Sequence, residues 1–449
     1  MKSAVAFVLV GAMALSVLSA CGAAPAKEPE STPVPSSAVR EEAQIVPDPS
    51  PTLSRDEYVF SDDYAAWRRQ YRDAVSASRT ERDAMNTYYT RIMPLLLSGE
   101  KENAVCSPLN IYLALCMLTE TAGGASRQAL LETLGVSDLE SLRTRARALL
   151  AANRLETPVL QSLPAGSLWM RQEYLYKAPA AEALESIYGA ELFTGEMGSP
   201  SFDQALRDWV NEQTGGLLRE YTADMSMDPR TVLELVSTFY YKAAWTTPFS
   251  AAKTETQVFH GAQGDALCQM MRRSAAGSYY WGDGFSACSL NLADSGSMVF
   301  FLPDPGTELT EIVGSAQVMT LLRQEYSYEN SKYLIVNMSV PRFEISGKTD
   351  LLPVLSQLGL ENLSDPQRAD FSSLTEEKGL FLSKADHAAA VSIDEEGVTG
   401  AAYTDMAIAA SGMPPEETVD FVLDRPFFFA VTGGDGSILF AGTVYNVTE

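Results

Sequence analysis

Histidine is almost absent from this chain: His260 and His387 are the only two in 449 residues. That leaves no material for a histidine-rich zinc site. Five cysteines in so long a chain do not make a disulfide framework. Basic residues are also short, with Lys+Arg at 33 against Asp+Glu at 58 and a net charge of −25. Phosphate backbones need cationic surface, so no nucleic-acid partner is expected. Signatures of catalysis are missing as well. There is no Gly-x-Ser-x-Gly elbow, no His-Glu-x-x-His and no Cys-x-x-Cys. Gly347-Lys348-Thr349 looks like the end of a phosphate loop, but Arg342 stands where the leading glycine must be. No enzyme activity, cofactor or metal is expected.

The chain does hold material for a large core, at 46% apolar and 9% aromatic. Length alone suggests roughly three domains at ~150 residues each. No linker is visible after Asp83, however, so one domain is expected. The first residues set the compartment. Lys2 precedes an apolar run from Ala4 to Ala20, ending Leu18-Ser19-Ala20-Cys21. A cationic start, an apolar centre and small residues before the cut describe a secretory leader. Cysteine directly after Leu-Ser-Ala resembles the bacterial lipobox, which implies cleavage before Cys21 and lipid attachment to it. The alternatives are an uncleaved anchor, for which roughly 17 apolar residues are at the short limit, or a chance cysteine. Residues 22–54, rich in Pro, Ala, Ser and Glu, bury too little to offset chain entropy and read as a tether. The division is thus a leader at 1–20, a lipidated tether at 21–60 and a folded unit at 61–449, on the outer face of a bacterial membrane.

Helical spacing of Ala84, Met85, Tyr88, Ile92 and Leu95 predicts a helix bent or ended near Pro94. Asp62 to Ala77 reads as a short helix at the edge of the fold. Further helices are expected over Ile111–Thr119, over Arg127–Leu134 with Ser126 as cap, and around Leu206, Trp209 and Val210. Strands are expected over Thr231–Trp245, Ser297–Leu302, Tyr333–Ile345 and most of the last eighty or so residues. Helices lead and strands follow without βαβ alternation, so the class is α+β. Cys106, Cys116, Cys268 and Cys288 lie in apolar segments and read as buried free thiols. His260 reads as a surface residue.

The segment from Glu395 to Pro415 is odd. It is about twenty residues long, beyond the common connection length. Read as a strand it alternates: Val398, Gly400, Ala402, Thr404, Met406, Ile408 and Ala410 share one uncharged face, and Asp405 falls on the other. It suits both an exposed loop and a strand within a sheet; a plain central strand or an Ala-rich helix is the simpler alternative.

Here the chain resembles the serpins. Asp394-Glu395-Glu396-Gly397 with the small-residue run looks like their loop hinge. Asp424-Arg425-Pro426-Phe427-Phe428-Phe429 and Ile438-Leu439-Phe440-Ala441-Gly442 look like their C-terminal signature. Asn103 to Pro108, Thr231 to Phe249, Met270-Met271, Val340 to Phe343 and Leu382 to His387 match in order, so the likeness spans about 83 to 449. It implies one α+β domain with three β-sheets, about nine helices and an exposed reactive loop. It also implies suicide inhibition of a serine protease, through a covalent complex, by a monomer. The hinge would comprise Glu395, Glu396, Gly397, Val398, Thr399, Gly400, Ala401 and Ala402. Counting from Glu395 implies a scissile bond at Ser411–Gly412, within 408–413; counting back from Pro426 gives a later site near Pro415. The small residues Ala409-Ala410-Ser411 suit a shallow pocket, hence elastase-like or subtilisin-like targets. The resemblance implies a breach at Trp245 and Arg342, with Arg342 paired to Glu395. It implies a polar shutter of Ser107, Asn110, Ser237 and His387, with Asn and Ser exchanged relative to the usual pattern. Asn110 is therefore expected to reach toward His387, with Ser237 filling the shorter gap. The competing function is a serpin-fold surface lipoprotein that binds or adheres without inhibiting. A solute-binding lipoprotein is a remote third, argued from Cys21 and the tether alone.

Overall fold

The computed structural model describes residues 9–19, 62–97, 99, 101–323, 329–398 and 415–447. Its centre is an eight-stranded sheet. The strands that form its path are β1 (Leu9–Ser19), β3 (Leu155–Thr157), β4 (Leu160–Arg171), β6 (Thr231–Ala244), β12 (Phe343–Asp350) and β13 (Leu380–Ile393). They run in the order β12-β13-β1-β6-β4-β3, with β5 (Glu191–Gly195) beside β4 and the two-residue β14 (Gly397–Val398) beside β6. A second network joins nine strands. The 19-residue β8 (Gly264–Gly282) divides it in two. Most of β8 pairs with β7 (Glu255–Gly261) and β11 (Ser331–Pro341), while its end, Tyr279 to Gly282, pairs with β9 (Phe285–Asn291). Beyond β9 follow β10 (Ser297–Pro303), β16 (Phe427–Thr432), β17 (Ile438–Val444) and β2 (Ala104–Cys106); β15 (Thr418–Val422) lies outside β11. The fold is α+β with three sheets.

Eleven α-helical segments occur among the described residues, against about nine expected, and four of them are only four to seven residues long. Five matter here: α1 (Asp62–Arg79), α2 (Arg82–Leu97), α3 (Pro108–Thr121), α4 (Gly124–Leu134) and α5 (Leu139–Asn153). Helix α3 is apolar on nearly every side and is buried at every position, as an all-round apolar helix must be. Ser107 caps it, Pro108 fixes its first turn, and it lies behind β6 and β17. Pro94 sits inside α2 without ending it.

Several expectations differ in detail. Ser126 is not a cap: α4 starts at Gly124 after Gly123, whose N–H donates to the Asp370 carbonyl. The Ser126 hydroxyl instead accepts from the Asp370 N–H at 2.9 Å. Tyr333–Ile345 is two strands, interrupted at Arg342. The 255–282 hairpin was not anticipated, because Arg272-Arg273 and Ala275-Ala276-Gly277 break apolar alternation in a strand with little buried surface. Cys106, Cys116, Cys268 and Cys288 are free and buried, and burial raises the thiol pKa of each. His260 is exposed, with Nδ1 2.9 Å from Asp265. The leader and tether boundary at Cys21 lies outside the described residues.

Candidate functional site: the slot in the central sheet and its hinge

Strands β6 and β13 do not pair with each other; β1 lies between them, antiparallel to both. The apolar run that reads as a secretory leader thus fills a strand-wide slot. A continuous apolar run suits a strand inside a sheet as readily as a membrane, since no charge interrupts it. The slot is wide enough for one strand and takes it in the direction that a chain turning back from β13 would follow.

That turn is the hinge. After β13 ends at Ile393, the Asp394 carboxylate accepts from the N–H groups of Glu396 at 2.8 Å and Gly397 at 3.1 Å. Asp394 N–H donates to the Gly397 carbonyl at 3.1 Å. This closes a tight turn that aspartate favours through its own backbone. Gly397 then pairs with Ala244 and Val398 with Ala243, antiparallel. Only glycine fits at 397, because a Cβ there would come 2.4 Å from the Ala243 carbonyl oxygen and 2.7 Å from the Ala244 Cα. Val398 is fully buried. Thr399, Gly400, Ala401, Ala402, Ser411 and Gly412 lie outside the described residues.

The breach holds the hinge from below. Trp245, fully buried, donates its indole N–H to the Asp394 carbonyl at 2.9 Å and its backbone N–H to the Glu396 carbonyl at 3.0 Å. Phe249 N–H donates to the Glu395 carbonyl at 2.8 Å. Arg342 reaches the Glu395 carboxylate at 2.6 Å, and Thr254 donates to the same oxygen. The Glu395 side chain is only 8% exposed, so this pair is more than a solvated surface contact. Burial pushes its carboxyl up, but the bonds from Arg342 and Thr254 outweigh that and leave it below the ordinary range. Asp394 goes the other way. Burial raises it to about 6, the two backbone N–H bonds resist, and the neighbouring Glu396 and Glu395 charges add to the rise.

Under the middle of the slot the four shutter residues are all buried. Ser107 is the hub. Its N–H donates to His387 Nε2 at 2.9 Å, and its hydroxyl donates to the Leu439 carbonyl at 2.6 Å. Asn110 does not reach His387 as expected. Its Oδ1 accepts from the Ser237 hydroxyl at 2.5 Å and its Nδ2 donates to the Ser237 carbonyl at 3.4 Å. The reason is the occupied slot: Ser237 and His387 both pair with Met13 of the intervening strand, so two strand spacings of about 4.8 Å each separate them. The exchanged Asn and Ser therefore satisfy one another, and Ser107 serves the histidine.

Slot, hinge, breach and shutter thus lie together around one central sheet. A family model described as Serpin (serine protease inhibitor) matches residues 84–447. The chain belongs to that family. Leukocyte elastase inhibitor of Sus scrofa is 30% identical over 357 residues, covering 77% of this chain and 93% of that protein. Serpin A3-1 of Bos taurus is 29% identical over 367 residues, covering 79% and 86%. Among solved structures, the thermophilic serpin tengpin in its native state superposes with a TM-score of 0.70 at 23% identity, over 82% of this chain and 95% of that one, a likeness of fold.

Proposed function

We propose that this protein is a suicide-type inhibitor of elastase-like or subtilisin-like serine proteases, held outside a bacterial cell by lipid on Cys21. The observation that carries the reading is the register at the hinge. Val398 is already seated on Ala243, collinear with the slot. A chain running on in that register meets Lys242 with Thr399 and Tyr241 with Gly400, the partner that Leu9 holds. Continued without interruption, Ala410 meets Thr231, the first residue of β6. Ser411 then comes just past the strand's end. The length of β6 thus matches the distance from hinge to the proposed scissile bond, which favours Ser411 over the later site near Pro415.

The chemistry belongs to the protease. Its serine Oγ attacks the Ser411 carbonyl carbon, the C–N bond to Gly412 breaks, and the proton taken from Oγ passes through the protease's base to the departing amine. An acyl ester links the two proteins. The freed loop then adds to the sheet as a strand, and that edge pairing draws the acylated protease away from where it docked. Small and apolar residues at alternate positions let the loop enter without burying a charge, which would cost several kcal/mol.

The chain beginning at Cys21 should form an SDS-stable complex with pancreatic elastase. Mass spectrometry should place the cut within 408–413. Cleavage without a complex would favour a non-inhibitory surface lipoprotein, and a complex with trypsin alone would refute the specificity.

A further inference from the structure

Helix α1 lies upstream of the residues that the family model spans, yet it is built into the body of the fold. Trp67 and Tyr71 are buried, and the rings of Tyr64, Trp67 and Tyr71 stack at 5.6 and 5.2 Å. At the far end of the helix Ser78 donates to the buried Asp435 at 2.6 Å. Gly434 lies close against the ring of Tyr71: a Cβ there would come 2.0 Å from the hydroxyl oxygen and push the side chain aside. So α1 is fixed along its length against α5 and the β16–β17 turn.

Its first turn ends on the breach. The Tyr64 hydroxyl donates to Asp294 Oδ1 at 2.8 Å, and Thr157 donates to Asp294 Oδ2 at 3.3 Å. Asp294 lies in the turn between β9 and β10 at φ +55°, a left-handed conformation that aspartate tolerates and most residues resist. The next residue back, Ala293, donates its N–H to the Ala244 carbonyl at 2.8 Å. On the other side Val159, whose N–H bonds the Thr157 hydroxyl, accepts the Ala244 N–H at 3.1 Å. Val159, Ala244 and Ala293 form a small apolar cluster of their own. Both backbone groups of Ala244 are therefore held by two turns, and the two oxygens of Asp294 join those turns to each other and to α1. Ala244 is the residue opposite Gly397.

We propose that Asp294 is a positioning residue for loop insertion and that Tyr64 of α1 orients it. It fixes the end of β6 on which the hinge seats its first two residues. This inference rests on the inhibitor reading. Trapping is a race between insertion and hydrolysis of the acyl ester. An end of β6 that wanders slows the first pairing step, and more of the inhibitor is lost as cleaved, unproductive chain.

Three substitutions separate this from a merely structural contact. Tyr64→Phe keeps the ring stack and removes the donor. Asp294→Gly keeps the left-handed turn and removes the carboxylate. Asp294→Asn keeps an acceptor for Tyr64 and tolerates the turn. Hydrogen exchange of the uncleaved chain should show Ala244 and Trp245 amides exchanging about fivefold faster or more in the first two variants, since one hydrogen bond to the carboxylate is lost in Tyr64→Phe and both are lost in Asp294→Gly. Amides of β17 should not change, and Asp294→Asn should stay near wild type. The moles of inhibitor consumed per mole of elastase should rise in the same order. Unchanged exchange at Ala244 and Trp245, or equal acceleration in β17, would overturn the proposal. Exchange is read without any protease. A wild-type chain that forms no complex therefore contradicts the inhibitor reading, while exchange at Ala244 and Trp245 still decides whether Asp294 braces β6.

Discussion

At the residue scale the hinge sets two adjacent carboxylates against each other. Glu395 is held ionised by Arg342 and Thr254, whereas Asp394 is pushed toward its neutral form by burial and by its two glutamate neighbours. Their contributions to stability have opposite signs. Glu395, with its folded pKa lowered, adds stability that is present above its unfolded pKa and lost as pH falls. Asp394, with its folded pKa near 6, adds stability that is present below its unfolded value and lost as pH rises through about 6. Asp394→Asn keeps an acceptor for the Glu396 and Gly397 amides and removes the ionisation. Its unfolding midpoint should therefore exceed wild type at pH 7.5, by an amount corresponding to ~1–2 kcal/mol after solvent screening, and converge with wild type near pH 4. Thermal melts across that range check it. A variant that is less stable at pH 7.5 would mean that the Asp394 charge supports the turn. The Arg342–Glu395 pair followed from the resemblance and has the expected partners. The Asn110–His387 contact did not, because donor counting placed the right four side chains in one region without saying that a strand separates two of them.

At the scale of elements, the sequence was most legible where one period dominated. Thr231–Trp245 and Ser297–Leu302 stood out as apolar runs, and they are strands within a residue of those bounds. Helix α1 read only as an edge helix, because its single stripe of Tyr64, Trp67 and Tyr71 does not reveal a partner surface. The leader posed the harder problem. Its composition satisfies both a secretory signal and a strand, and the local sequence carries no information about an open slot elsewhere. In the slot Leu9 holds the partner that Gly400 would need, so leader and loop exclude each other there. A chain carrying residues 1–20 should consequently be cut by elastase without trapping it, while the chain starting at Cys21 traps. Gel assay of complex against cleaved product for the two chains measures this. Equal trapping by both would mean that the loop displaces the leader.

For the whole molecule, stability before and after cleavage is the issue. In a chain beginning at Cys21 the slot between β6 and β13 lacks its β1 strand, and the loop proposed to fill it is tethered at both ends. On the insertion reading, one cut would free the loop to pair along both neighbours and to bury its uncharged face, while the rest of the fold keeps its contacts. A strand added in the middle of a sheet contributes several kcal/mol, which for a domain of this size, at ~2 cal/mol/K of unfolding entropy per residue, corresponds to a shift of about 5 °C. The decisive measurement is the melting temperature of the chain from Cys21, intact and after a single cut within 408–413. The insertion account expects the cut form to melt about 5 °C or more above the intact one. A cut form that melts at the same temperature or lower would contradict it.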